Sequence, residues 1–195
     1  MSDRHPYLDG PHPRRYAHRG WHIGELAGCE NTLAGFVYAV ERGFSYLELD
    51  VRASADGIPM VHHDATLDRT TTGTGPLAAL QAAELGEVLV AGREPIPRLE
   101  TVLAALPDTR VTIELKSDDV VTPTLAVLER MDAMLSEEDD EGRPVAYNRV
   151  AGFVVTGNED GAHHVIGELA GGLIDIGFTV PGQAWTYWNR GPGPG

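Results

Sequence analysis

Tyr46-Leu47-Glu48-Leu49-Asp50-Val51-Arg52 sets the fold. Successive side chains of a strand point to opposite faces, so Leu47, Leu49 and Val51 share one side while Glu48, Asp50 and Arg52 share the other. The apolar side is one a covering helix would bury. Just upstream, Asn31 can cap a helix over Thr32 to Arg42, with Leu33, Phe36, Val37 and Val40 on its inner face and Gly43 ending it. Before that, a short strand ends in Ala17-His18-Arg19-Gly20. Downstream, the Asp56-Gly57 turn introduces a strand over Ile58 to His62. Leu67 to Gly75 is Thr/Gly-rich loop, Leu80 to Leu85 a short helix, and Pro97 opens a helix through Leu99, Val102, Leu103 and Leu106. Val111 to Lys116 is a fourth strand, followed by a helix opened by Thr122 and Pro123 and reaching about Leu135. A strand over Val150 to Thr156 and a helix over Val165 to Leu173 come later. Strands alternating with helices predict an α/β fold with parallel pairing.

The acids inside the strands carry the chemistry. Glu48 and Asp50 project to one side of their strand, and Glu114 repeats the pattern in the fourth. Three carboxylates aimed at one interior repel and are costly to bury. A hard cation such as Mg²⁺ or Ca²⁺ removes that cost, because carboxylate oxygen is its preferred ligand. Pairing with Arg52 and Lys116 in a polar core explains the same pattern, and the residues alone leave both readings open. His18 and His63 fall at strand ends, and in parallel α/β sheets ligands bind at the carboxyl ends. Two imidazoles there suit general acid and base roles. Arg19 and Lys116 are donors suited to a phosphate. His62 faces the other way and is expected to pack.

Composition narrows the class. The 195 residues suit one compact domain or two small pieces. A net charge of -14, with no Lys/Arg cluster, argues against a nucleic-acid partner. The acidic run Glu137 to Glu141 reads as a solvated loop or helix end. The single cysteine, Cys29, excludes an intramolecular disulfide and a thiolate cluster. No apolar run approaches the ~20 residues that span a bilayer, and the polar start of the chain has no signal core, so a soluble cytoplasmic protein is expected.

Ala17-His18-Arg19-Gly20, Glu30-Asn31-Thr32, Glu48-Leu49-Asp50-Val51, Asp56-Gly57, His63-Asp64, Leu67-Asp68-Arg69-Thr70-Thr71 with Gly73, and Ile113-Glu114-Leu115-Lys116 stand in the order and spacing of the glycerophosphodiester phosphodiesterase family. The chain resembles that family from about residue 16 to 120. The resemblance implies a TIM-barrel hydrolase that uses a divalent metal, Mg²⁺ or Ca²⁺, to cleave glycerophosphodiesters to glycerol 3-phosphate and an alcohol. It implies Glu48, Asp50 and Glu114 as metal ligands, His18 and His63 as the acid–base pair, and Arg19 and Lys116 as phosphate contacts. Asp64 and Arg69 order the loop in this reading, although Arg69 can reach the mouth of the site.

A TIM barrel typically takes ~250 residues, and the pattern fades after Lys116. From about Glu129-Arg130-Met131-Asp132, through Arg149 to His164, to Gln183-Ala184-Trp185-Thr186-Tyr187-Trp188, the chain resembles part of a flavodoxin-like, NADPH-dependent FMN reductase. That family's N-terminal phosphate loop has no counterpart, so bound FMN is not expected. His163 and His164 read as loop or cap residues rather than metal ligands; Trp185, Tyr187 and Trp188 suit either flavin stacking or an aromatic cover. The expected organisation is a flexible leader over 1–14, a partial barrel of four βα units over 15–125, and a flavodoxin-like βα fragment with an irregular C-terminus over 126–195. Such a sheet stays open and can pair with a second copy across its edge. A flavin-dependent oxidoreductase fragment and a truncated, catalytically silent domain are the alternatives to the hydrolase.

Overall fold

The structure, a computed structural model, describes residues 13–134, 153–157 and 185–189. Most of the leader, the acidic run, the helix expected over Val165 to Leu173, and His163 and His164 lie outside the described residues. The chain divides into two compact units, one over 11–124 and one made mainly of 125–195.

In the first unit, strand β1 (Tyr16–His18) leads through helix α1 (Leu33–Glu41) to strand β2 (Tyr46–Ala53). The cap of α1 is Thr32 rather than Asn31: the Thr32 hydroxyl accepts from the Gly35 amide at 3.1 Å and donates to the Cys29 carbonyl at 2.9 Å. Asn31 is thereby released for another use. The face that α1 buries is Gly35, Phe36 and Ala39, with Leu33, Val37 and Val40 only partly covered. Gly35 is needed there, since a Cβ would stand 3.0 Å from the carbonyls of Trp21 and Cys29.

The next strand departs from the parallel expectation. β3 (Pro59–Val61) runs antiparallel to β2, with Ala53 opposite Pro59 and Val51 opposite Val61. The five residues between them, Ser54 to Ile58, close a tight turn in which the Ser54 amide donates to the Ile58 carbonyl at 3.0 Å. So short a link joins only antiparallel neighbours; a parallel crossover needs a dozen or more residues. The expected four βα units are therefore three parallel strands and one reversed hairpin strand.

After β3 the chain builds a small satellite core before returning to the sheet. It contains helix α2 (Ala82–Leu85) and strands β4 (Leu89–Val90) and β5 (Glu94–Pro95), and helix α3 (Leu99–Ala105) follows it. Met60, Leu67, Leu77, Leu85, Val90 and Ile96 pack together there. The Leu67 to Gly75 loop is tied down rather than loose: the Leu67 amide donates to the Gly75 carbonyl, and Thr66 bridges Pro76. β6 (Arg110–Leu115) then pairs parallel with β2, Asp50 opposite Glu114, while β1 pairs parallel with β2, His18 opposite Glu48. Val51 pairs with both Val61 and Leu115, and Glu48 with both His18 and Thr112. β6 thus takes one edge of β2, and β1 and β3 divide the other.

Helix α4 (Val121–Met134) follows. In the second unit, β7 (Phe153–Gly157) pairs parallel with β8 (Trp185–Asn189) in its own two-stranded sheet. Where an irregular C-terminus was expected, Trp185–Asn189 is a strand.

Candidate functional site

β2 and β6 place the acids. Ligand oxygens of Glu48, Asp50 and Glu114 all lie within 4.8 Å of one another. Asp50 is fully buried. Its Oδ2 accepts from Asn31 Nδ2 at 2.8 Å and stands 3.1 Å from Arg19 Nε; its Oδ1 stands 3.0 Å from Lys116 Nζ. Lys116 Nζ also reaches Glu114 Oε1 at 2.6 Å. Two of these contacts have ion-pair distance without hydrogen-bond direction, so Arg19 Nε and Asp50 Oδ1 stay buried with no hydrogen-bond partner. Burial, and then the charge of Asp50, push the Glu48 carboxyl above its ordinary value, against the Arg19 amide, which donates to it at 3.1 Å.

Backbone strain shapes the rim. Arg19 and Asn31 both hold left-handed conformations, φ 55° and 57°, beside Gly20 at 74°. Non-glycine residues pay about 1–2 kcal/mol for that conformation. Here it is held by the Asn31 amide donating to the Arg19 carbonyl at 2.9 Å and the Arg19 amide donating to the Glu48 carbonyl at 3.0 Å. Strain of this kind concentrates at functional sites.

This donor set fits a hard divalent cation. Three carboxylates converge on one point, and one of their buried oxygens, Asp50 Oδ1, lacks a donor. Oxygen ligands of this kind suit Mg²⁺ and Ca²⁺ alike.

Residues 13–154 match the Glycerophosphoryl diester phosphodiesterase family. The chain belongs to this family. A probable glycerophosphodiester phosphodiesterase 2 of Mycobacterium tuberculosis is 36% identical over 117 residues, covering 60% of this chain and 44% of that protein. This chain thus spans less than half of that relative's length. The crystal structure of a glycerophosphodiester phosphodiesterase from Agrobacterium tumefaciens superposes with a TM-score of 0.56 at 28% identity, over 85% of this chain and 64% of that one. The α/β fold with its parallel sheet is thus shared with TIM-barrel-like phosphodiesterases. An 8-demethyl-8-aminoriboflavin-5'-phosphate synthase of Streptomyces davaonensis is 42% identical over 71 residues, 35% of this chain and 28% of that protein.

Within this phosphodiesterase framework, the structure brings Glu48, Asp50, Glu114, Arg19 and Lys116 into one cluster. His18 borders it, its Nε2 3.8 Å from Glu48 Oε2 with a side chain 66% exposed. His63 arrives by a route the parallel reading did not contain. It follows the reversed strand β3, whose next residue, His62, donates its amide to the Asp50 carbonyl at 2.9 Å. The His63 carbonyl accepts from Arg52 Nε at 2.7 Å, and its Nδ1 lies 2.6 Å from Asp64 Oδ1. Arg52 is thus engaged with the loop backbone, while Lys116 makes the expected ion pairs with the acids. His62 packs as expected: it is buried, its Nε2 lies 3.3 Å from the Thr66 carbonyl, and burial lowers its basicity.

Two participants were not read as such. Asn31 brackets Asp50, its Nδ2 donating to the carboxylate and its Oδ1 accepting the Asp50 amide at 3.3 Å. Glu30 accepts from Arg19 NH1 at 3.1 Å and from Arg69 NH2 at 2.7 Å. Both lie within two residues of Thr32, and Asn is as good a helix cap as Thr, so the pattern points to the helix end instead.

Proposed function

We propose that the protein is a metal-dependent hydrolase of glycerophosphodiesters, releasing glycerol 3-phosphate and an alcohol. The observation that carries this reading is the convergence of the Glu48, Asp50 and Glu114 carboxylates, with Asp50 Oδ1 buried and lacking a donor. Those three would hold Mg²⁺ or Ca²⁺. When bound, the ion would polarise the phosphoryl oxygens. Arg19 and Lys116 hold the phosphate, matching its geometry with planar and point-charge donors. His18 and His63 exchange protons with the attacking oxygen and the departing alcohol. The alcohol leaves with the proton it gains, and the new P–O bond comes from water. A cytoplasmic setting is consistent with the single cysteine.

The test is hydrolysis of glycerophosphocholine by the full chain, with divalent metal and with a chelator. Product formation that requires the metal is expected. Metal binding without hydrolysis of this or other glycerophosphodiesters would leave a catalytically silent metal-binding domain.

A second reading concerns the later residues. The proposed boundaries are a leader over 1–14, the phosphodiesterase-like part over 15–125 and a flavodoxin-like fragment over 126–195. The similarity to a Streptomyces enzyme named for a flavin 5'-phosphate supports a flavin-protein origin for part of this chain. Parallel pairing of β7 with β8 is what a flavodoxin-like sheet contains. FMN is not expected to copurify, because among the described residues no Gly- or Ser/Thr-rich loop opens a helix in the context that anchors the phosphate. A stoichiometric flavin absorbance band would favour the oxidoreductase reading instead.

A further inference from the structure

One group of charges lies beside the cluster and is used by none of the steps above. Arg69, on the loop after β3, turns one guanidinium to two carboxylates. Its Nε and NH2 donate to Asp64 Oδ2 and Oδ1 at 2.5 and 3.0 Å. Its NH1 and NH2 donate to Glu30 Oε2 and Oε1 at 3.0 and 2.7 Å. Each carboxylate then has a further partner: Asp64 Oδ1 meets His63 Nδ1 at 2.6 Å, and Glu30 Oε1 accepts from Arg19 NH1 at 3.1 Å. Arg69 and Glu30 are 39 residues apart in sequence. A contact that merely fastened the loop would need one anchor; this one ends on a candidate proton carrier and on a candidate phosphate contact.

We propose that Asp64, Arg69 and Glu30 are positioning residues, a relay that fixes the His63 ring at one end and the Arg19 guanidinium at the other. The inference rests on the hydrolase reading for what His63 and Arg19 do, though not for the relay's geometry. The hydrogen bonds from Arg69 hold the Asp64 carboxyl well below the usual carboxylate range, so it is ionised near neutral pH and can only accept. His63 Nδ1 must then be the donor, and Nε2 is the nitrogen presented for proton exchange. Burial opposes ionisation of Glu30, but hydrogen bonds and charge from Arg69 and Arg19 outweigh it, so the Arg19 end is likewise held by an acceptor. Paired forks of this kind fix a guanidinium plane as well as its position, which a lysine at 69 cannot do.

The experiment combines kinetics with NMR of the histidine ring nitrogens on the full chain. In the parent, neutral His63 should carry its proton on Nδ1. Asp64→Ala should abolish that preference and lower kcat roughly 10²-fold, the scale expected when a reacting group loses its orientation. In a His63→Ala background the same change should cost nothing further, whereas a merely structural role would still lower the rate. Glu30→Gln should act mainly on KM, through Arg19. Arg69→Ala should disturb both, and Arg69→Lys should not restore the parental values. An unchanged His63 tautomer in Asp64→Ala, or additive losses with His63→Ala, would overturn the relay. If the parent hydrolyses no glycerophosphodiester, the hydrolase reading fails by itself, and the ring-nitrogen result still decides the relay.

Discussion

Asp50 concentrates the tension in this site. It is fully buried, flanked by two cations, and still has an oxygen without a hydrogen-bond donor. Removing its charge would take one of two carboxylate partners from each cation, leaving Arg19 with Glu30 and Lys116 with Glu114, and breaking a buried pair typically costs about 3–5 kcal/mol. Asp50→Asn therefore confounds metal loss with unfolding. Glu114→Gln is the cleaner variant, because Glu114 keeps 30% of its side chain exposed. We expect it to abolish measurable divalent-metal binding by calorimetry at unchanged secondary structure, and parental affinity would remove Glu114 from the ligand set. His18→Ala should lower the hydrolysis rate by about 10²–10⁴-fold with metal affinity retained, since positioned acid–base groups contribute on that scale. A parental rate would take His18 out of the mechanism. The acids were legible in the sequence because a charged residue at every second position of a strand has few uses. Asn31 and Glu30 were not, because beside a helix start an amide and an acid are explained locally and give no sign of a partner on another strand.

At the level of elements, the turn leaving β1 is the least replaceable. Gly20 sits at φ 74°, and a Cβ there would stand 3.0 Å from the Gly35 carbonyl carbon and from Phe36 Cδ1. The conformation alone costs an alanine about 1–2 kcal/mol. Gly20→Ala should lower the melting temperature by about 4–16 °C, at 4–8 °C per kcal/mol for a domain of ~100 residues. An unchanged melt would show that the turn relaxes freely. The turn after β2 carries a pH signature. The Asp56 carboxyl accepts from the Ser54 hydroxyl at 2.6 Å and from the Ala82 amide at 2.8 Å, which lowers its pKa below 3.8. The folded state then binds the proton less well than the unfolded state. The stabilisation is complete above about pH 3.8 and disappears as pH falls through the lower, folded value. Asp56→Asn should accordingly melt below the parent at pH 7, and the gap should close in acid. A gap that widens on acidification would reverse the sign of the argument. This same turn explains the misread strand. Asp56-Gly57 marked a reversal, but alternation with helices outweighed it, although the five-residue link forbids a parallel partner. The β4–β5 hairpin left no legible trace, since two-residue strands carry no periodicity.

For the molecule as a whole, the carboxylate cluster was legible and the closure was not. Candidate ligand positions leave charged residues in apolar strands, whereas the strands that complete a sheet are apolar and interchangeable. The recognisable pattern therefore fades after Lys116, while the family match runs on to residue 154. Among the described residues the main sheet has four strands, and a closed barrel of this kind has eight. The strands differ in cover. Six of the eight residues of β2 are buried, whereas all six of β6 are only partly so, Val111, Ile113 and Leu115 among them. Those three share the face away from the carboxylates, so their remaining exposure lies outside the carboxylate cluster. Apolar area left in water favours association at about 25 cal/mol for each Å² covered. We therefore expect the protein to self-associate through this apolar face, with the carboxylate cluster unaffected. Light scattering across a concentration series should show mass rising with concentration, and metal-dependent hydrolysis per chain should stay constant along it. The monomer mass at every concentration, with a single cooperative high-temperature melt, would show that β6 is covered well enough within one chain and would overturn the prediction.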